Sequence, residues 1–240
     1  MMDEIHPPVE TTSQERRPTP RITYFTVFFL LLGWPLISLV FMGDYSPQDL
    51  SFQDLAYQVY LPTIIIEGLL FLLVLLTIKK EEGKFSLSGI GFNQFNLKNL
   101  FLGFAFVIVS NIVLVGVALV MKGVGILPQK DISFLMPQSV TEKLLWILMS
   151  FSAAVSEEVS FRGYLLTKLN LWIKNVWVIA ILSSFAFGMG HIYQGVGGVI
   201  LTALYGFFFA MLFLWKRTLA PCIFAHFIQD AAVVFYQWQV

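Results

Sequence analysis

Apolar runs of about twenty residues recur along this chain, broken by few acidic or basic side chains. A helix needs about 20 predominantly apolar residues to cross the hydrocarbon of a bilayer, so this recurrence dictates an all-α, polytopic membrane helix bundle. About seven spans are predicted, at Ile22–Met42, Tyr57–Ile78, Leu100–Met121, Leu144–Leu166, Val176–Ile192, Val199–Trp215 and Leu219–Trp238. The fifth and sixth are the shortest. With 57% hydrophobic and only 12% charged residues, against about 25% charged in soluble domains, the chain has too few charges to hydrate a globular surface. A formal net charge of zero argues against nucleic acid as a partner. The single cysteine, Cys222, rules out an internal disulfide and a cysteine-rich metal cluster.

Residues 1–21 are proline-rich and polar, so they read as a solvated tail ahead of one membrane domain over 22–240. The segment Phe85–Leu97 mixes aromatic and polar residues and is expected along the interface, although its glycines argue against a good helix there. Basic residues stay in short cytoplasmic loops, which tests the span count independently. A cytoplasmic N-terminus puts Arg16, Arg17, Arg21, Lys79, Lys80, Lys84, Lys98, Lys168, Lys174, Lys216 and Arg217 inside, and only Lys122, Lys130 and Lys143 outside. That bias predicts the N-terminus inside and the C-terminus outside.

Ionisable groups at membrane depth are costly and mark functional sites. Glu157, Glu158, Arg162, His191, His226 and Asp230 fall in the last four spans, and Glu67 falls in the second. Residues four apart share a helix face, so Glu158 pairs with Arg162, and His226 shares a face with Asp230. Glu157 projects about 100° away from Glu158 and has no partner on its own helix. Glu67 reads as a packing or cavity-lining group and Asn111 as an interhelical hydrogen bonder. Ala153, Ala154, Ser156, Ser183, Ser184 and Gly188 are small enough for close packing of spans four and five.

A carboxylate and two imidazoles support two chemistries. The carboxylate can take a proton from water while the imidazoles position that water or donate to an oxyanion. Alternatively, Glu157, His191 and His226 are three ligands of a catalytic zinc with one open position. Spacing leaves both open, although no HExxH motif is present.

The segments Glu157-Glu158-Val-Ser-Phe-Arg162-Gly, Phe187-Gly-Met-Gly-His191 and His226-Phe-Ile-Gln-Asp230 occur in that order. They resemble the three motifs of the CPBP intramembrane proteases, the family of CAAX prenyl endopeptidases and bacterial proteins of bacteriocin processing and self-immunity. The resemblance covers about 143–240. It implies a glutamic-type endopeptidase in a bacterial cell membrane, needing no metal or other cofactor and acting on a membrane-embedded or membrane-associated peptide. Glu157 would activate water with His191, His226 and Asp230 would stabilise the oxyanion, and Glu158 and Arg162 would brace the first motif. The family's last motif also admits asparagine, a donor, where ionised Asp230 only accepts; Asp230 then serves either protonated or as the group orienting His226. Ser160 stands where a larger apolar residue is expected.

Counted from the inner span ends, Glu157 lies about 14 Å deep, His226 about 11 Å and His191 about 22 Å. The histidine of span five is therefore out of level with the other two. The expected site is a polar cavity among spans four to seven, open to the cytoplasm. Two other functions fit the same residues. One is a non-catalytic immunity or binding protein held together by them. The other is a proton-coupled transporter relaying through Glu67 and Glu157, against which stands the lack of duplicated halves. No Gly-x-Ser-Gly ahead of a suitable histidine supports a rhomboid-type serine site.

Overall fold

A computed structural model describes residues 19–40, 55–126 and 132–235. Among the described residues all regular secondary structure is helical, and five helices are long and apolar enough to cross a membrane. These are α1 (Arg21–Leu39), α2 (Leu55–Glu82), α3 (Leu97–Gly123), α4 (Val140–Ile173) and the helix that includes α6. Two apolar helices are shorter: α5 (Val176–Met189) and α7 (Ala220–Ala231). A short turn over Ile192–Gln194 joins α5 to α6 (Gly195–Lys216). The protein is an integral, multi-pass membrane protein. Of the expected tail, residues 1–18 lie outside the described residues, as do the ends of spans one and seven.

Local chemistry sets the helix starts. Asn96 caps α3 by accepting the Asn99 N–H, and Asn175 caps α5 by accepting from Trp177 and Val178. Ser139 and Glu142 form a reciprocal capping box at the start of α4, which satisfies two of the N–H groups that a helix end leaves unpaired. Gly83 ends α2 in the left-handed conformation.

Side-chain pairs show how the helices run. Thr26 and Thr77 hydroxyls meet at 2.8 Å, and Thr23 Oγ1 donates to Glu81 Oε1 at 2.6 Å. The start of α1 thus lies on the end of α2, and the two are antiparallel. Tyr60 packs edge-on against Trp146, while further along Tyr164 donates to Glu81 at 2.9 Å, so α2 and α4 are parallel. Asn111 Nδ2 donates to Gln229 Oε1 at 2.6 Å, the interhelical bond expected of Asn111. These directions gather Arg21, Lys80, Lys98, Lys174 and Lys216 at one end of the bundle, hereafter the basic end.

Three expectations change. The fourth span does not stop at Leu166: helix continues to Ile173, passing through a π-helical stretch, Glu158–Leu165, in which every residue is buried. Phe85–Leu97, which is regular only in a turn over Ser88–Ile90, is a strap folded across the basic end and tied into the bundle. Leu219 N–H donates to Gly91 O at 2.7 Å, Thr218 Oγ1 donates to Asn93 O at 2.7 Å, and Ile90 joins the core. Gly91 has φ +85°, and a Cβ there would meet Phe213 at 2.9 Å, so the strap can sit this tightly only with glycine. The small residues also serve more partners than spans four and five. Ser183 Oγ donates to Phe161 O at 3.1 Å, between α5 and α4, but Gly188 lies against Val199 and Ala203 of α6. Ser156 Oγ donates to the backbone carbonyl of Glu67, joining α4 to α2.

Candidate active site

Arg162 is the foundation of the polar cluster. Its side chain is 1% exposed, with Nη1 3.1 Å from Glu158 Oε1 and Nη2 reaching Gly206 O at 3.5 Å. The guanidinium lies over Phe187 at 4.1 Å and Phe209 at 5.2 Å. Gly206 makes room for it: a Cβ there would stand 3.3 Å from Nη2 and 3.1 Å from the Phe187 ring. The i,i+4 pair read from the spacing is therefore present, and two aromatic faces replace the water an arginine would otherwise keep.

Glu158 does more than the spacing suggested. Its Oε1 also accepts from His226 Nδ1 at 2.9 Å, so one fully buried oxygen joins α4 to α7. The other ring nitrogen, Nε2, faces Glu157 Oε2 at 3.6 Å and Asp230 Oδ2 at 3.3 Å. Three carboxylates converge on one imidazole. Asp230 thus stands beside His226, at the same ring nitrogen that faces Glu157. Ser160 is fully buried with its hydroxyl unpartnered; nothing in the packing explains it.

His191 follows the last turn of α5. Its Nδ1 lies 3.0 Å from Phe187 O, and since a carbonyl only accepts, Nδ1 carries the hydrogen, which in a neutral ring leaves the lone pair on Nε2. The ring packs against Phe187 at 5.0 Å and Tyr193 at 6.0 Å. It lies within electrostatic range of Glu157 without bonding it. Phe187 forms the common wall, touching His191, His226 edge-on at 6.2 Å, and Arg162.

The extra length of α4 removes the mismatch in depth. Measured from Ile173, Glu157 lies sixteen residues, about 24 Å, into the helix. His191 lies fifteen residues, about 22 Å, from Val176. Helix α7 begins recessed, with Leu219 against Gly163, itself about 15 Å from Ile173, which places His226 at about 25 Å. All three stand at one level because the strap holds the start of α7 deep in the bundle.

Glu67 lines this cluster, in keeping with a cavity-lining group, although the spacing did not pair it with Glu157. It is 3% exposed, lies beside the Glu157 carboxyl and within electrostatic range of His226, and its Oε2 has no hydrogen-bond partner. The sequence held one signal for it: a carboxylate at membrane depth with no basic residue within four positions. Among the described residues no group of three or more His, Cys, Asp or Glu side chains converges in metal-binding geometry.

Residues 139–232 match the family described as Type II CAAX prenyl endopeptidase Rce1-like. The match runs from the cap of α4 to just past α7. It takes in Glu157, Glu158, Arg162, His191, His226 and Asp230, and leaves Glu67 and the first three helices outside. No curated protein and no solved structure matches the chain.

Proposed function

We propose that the protein is an intramembrane endopeptidase of the glutamic type, with about seven spans, a cytoplasmic N-terminus and its reactive core in residues 143–240. Glu157 is the base. A water about 2.8 Å from both Glu157 Oε2 and His226 Nε2 fits their 3.6 Å separation, within reach for proton abstraction. His191, with its Nε2 lone pair free, orients that water from the α5 side. As the water oxygen attacks a peptide carbonyl, Glu157 takes its proton and the carbonyl oxygen gains negative charge. His226 Nε2–H, held by Glu158 on the far side of the ring and by Asp230 alongside, is the donor for that oxyanion. Glu157 then returns the proton to the leaving amine, so the base is regenerated.

Glu67 completes the arrangement. Two carboxyls side by side in a buried setting share a proton between them, and Glu67 is the reservoir that leaves Glu157 free to act. Arg162 touches no reacting atom; it holds Glu158, and through it the ring of His226. The residues fit this chemistry without a metal, since both nitrogens of His226 already face carboxylates.

The observation that carries the reading is the convergence of Glu157, Glu158 and Asp230 on the one imidazole of His226. The test is hydrolysis of a membrane-peptide library by purified parent and Glu157→Gln protein, with folding checked by thermal unfolding. Turnover is expected to fall at least about a hundredfold with unfolding unchanged. Equal turnover removes the proposal.

A further inference from the structure

The polar cluster is closed on one side and open on the other, and the two sides differ in charge. Towards the basic end, Glu158, Arg162, Leu219 and Cys222 are at most 1% exposed, and the strap seals them from below through Leu219 N–H to Gly91 O. Among the described residues the opposite end is open. Helix α5 is only 14 residues long and stops at the level of the site, while α3 and α4 run past it and α7 continues beyond His226 into a tight turn over Ala232–Phe235. Asp230 has 36% of its side chain exposed and Tyr193 is 38% exposed there. Trp146 Nε1 donates to Asp230 O at 2.8 Å, pinning the end of α7 to α4 at this mouth.

The basic residues mark which face of the membrane this is. Lys80, Lys84, Lys98, Lys174, Lys216 and Arg217 all lie at the closed end, whereas Lys122 and Lys143 lie at the mouth end; Lys130 is outside the described residues. Lysine and arginine in short loops stay on the cytoplasmic side. We infer that the site opens to the extracytoplasmic face, and that its substrate is a peptide segment presented from that side: an exported peptide or the outer juxtamembrane stretch of a membrane protein. This reverses the cytoplasmic opening expected from the sequence. It rests on the peptidase reading for its substrate, but not for the direction of the mouth. A tail in the cytoplasm would have to pass about 24 Å of close-packed helix and the strap to reach Glu157.

Two measurements test it separately. Val196, 74% exposed beside the mouth, and Lys84, exposed just ahead of the strap, are each replaced by cysteine and treated in intact cells with a membrane-impermeant maleimide. Cys222 is fully buried, so the parent is the unlabelled control. Val196→Cys is expected to label in intact cells and Lys84→Cys only after the membrane is opened; the reverse pattern overturns the inference. In the second arm, a quenched-fluorescence apolar decapeptide library is added outside sealed vesicles. Hydrolysis is expected in right-side-out vesicles and not in inverted ones, and hydrolysis confined to inverted vesicles overturns the inference. Absence of turnover in both, and in detergent, refutes the peptidase reading and the substrate assignment with it, while labelling still decides the face.

Discussion

Replacing Glu158 by glutamine isolates what the buried anion contributes. The amide keeps the side chain's shape and an acceptor oxygen at Oε1, but withdraws the charge facing Arg162 Nη1 at 3.1 Å and His226 Nδ1 at 2.9 Å. Arg162 is then a buried cation facing only a neutral amide oxygen and, at 3.5 Å, Gly206 O. Removing one partner of a buried pair costs about 3–5 kcal/mol. The Phe187 and Phe209 faces lie against the guanidinium in parent and variant alike, so they do not change the difference. The expected loss is therefore roughly 3–5 kcal/mol, read as unfolding free energy in detergent micelles by a reversible denaturant titration. Glu158→Gln combined with Arg162→Met removes both charges and nearly conserves volume, so it is expected to recover at least half of the loss. A single variant within about 1 kcal/mol of the parent, or a double variant no more stable than the single, refutes the claim that the pair is mutually dependent.

Three further substitutions probe other parts of the structure. Glu67→Gln is expected to lower kcat about 10–100-fold with KM within twofold, because it removes a proton reservoir rather than a binding contact; steady-state kinetics on the peptide library check it. Gly206→Ala pushes a methyl group to 3.1 Å from Phe187 and 3.3 Å from Arg162 Nη2, and is expected to destabilise by about 1–3 kcal/mol in the same titration. Glu81→Leu strands the hydroxyls of Thr23 and Tyr164 and the ammonium of Lys168, 2.7 Å from Glu81 Oε2. It is expected to cost about 2–4 kcal/mol, with hydrogen exchange quickening first at the start of α1.

The chain itself determined whatever depends on neighbours three or four residues away. Apolar run length set an all-helical membrane bundle, and i,i+4 spacing set Glu158 against Arg162 and His226 beside Asp230. Those relations live within one helix, whose rise and turn are fixed by backbone geometry. Only the tertiary structure decided relations between helices. Glu158 reaching His226, and Glu67 lying beside Glu157, depend on how far one helix is shifted along another. That offset is set by distant contacts: the strap that holds Leu219 deep, the π-helical continuation of α4, and Ser156 anchoring Glu67. The same offsets decided which end is sealed. Hydropathy reports that a segment lies in lipid, but it does not tell where each helix stops relative to its neighbours, and the mouth lies where α5 ends at Met189.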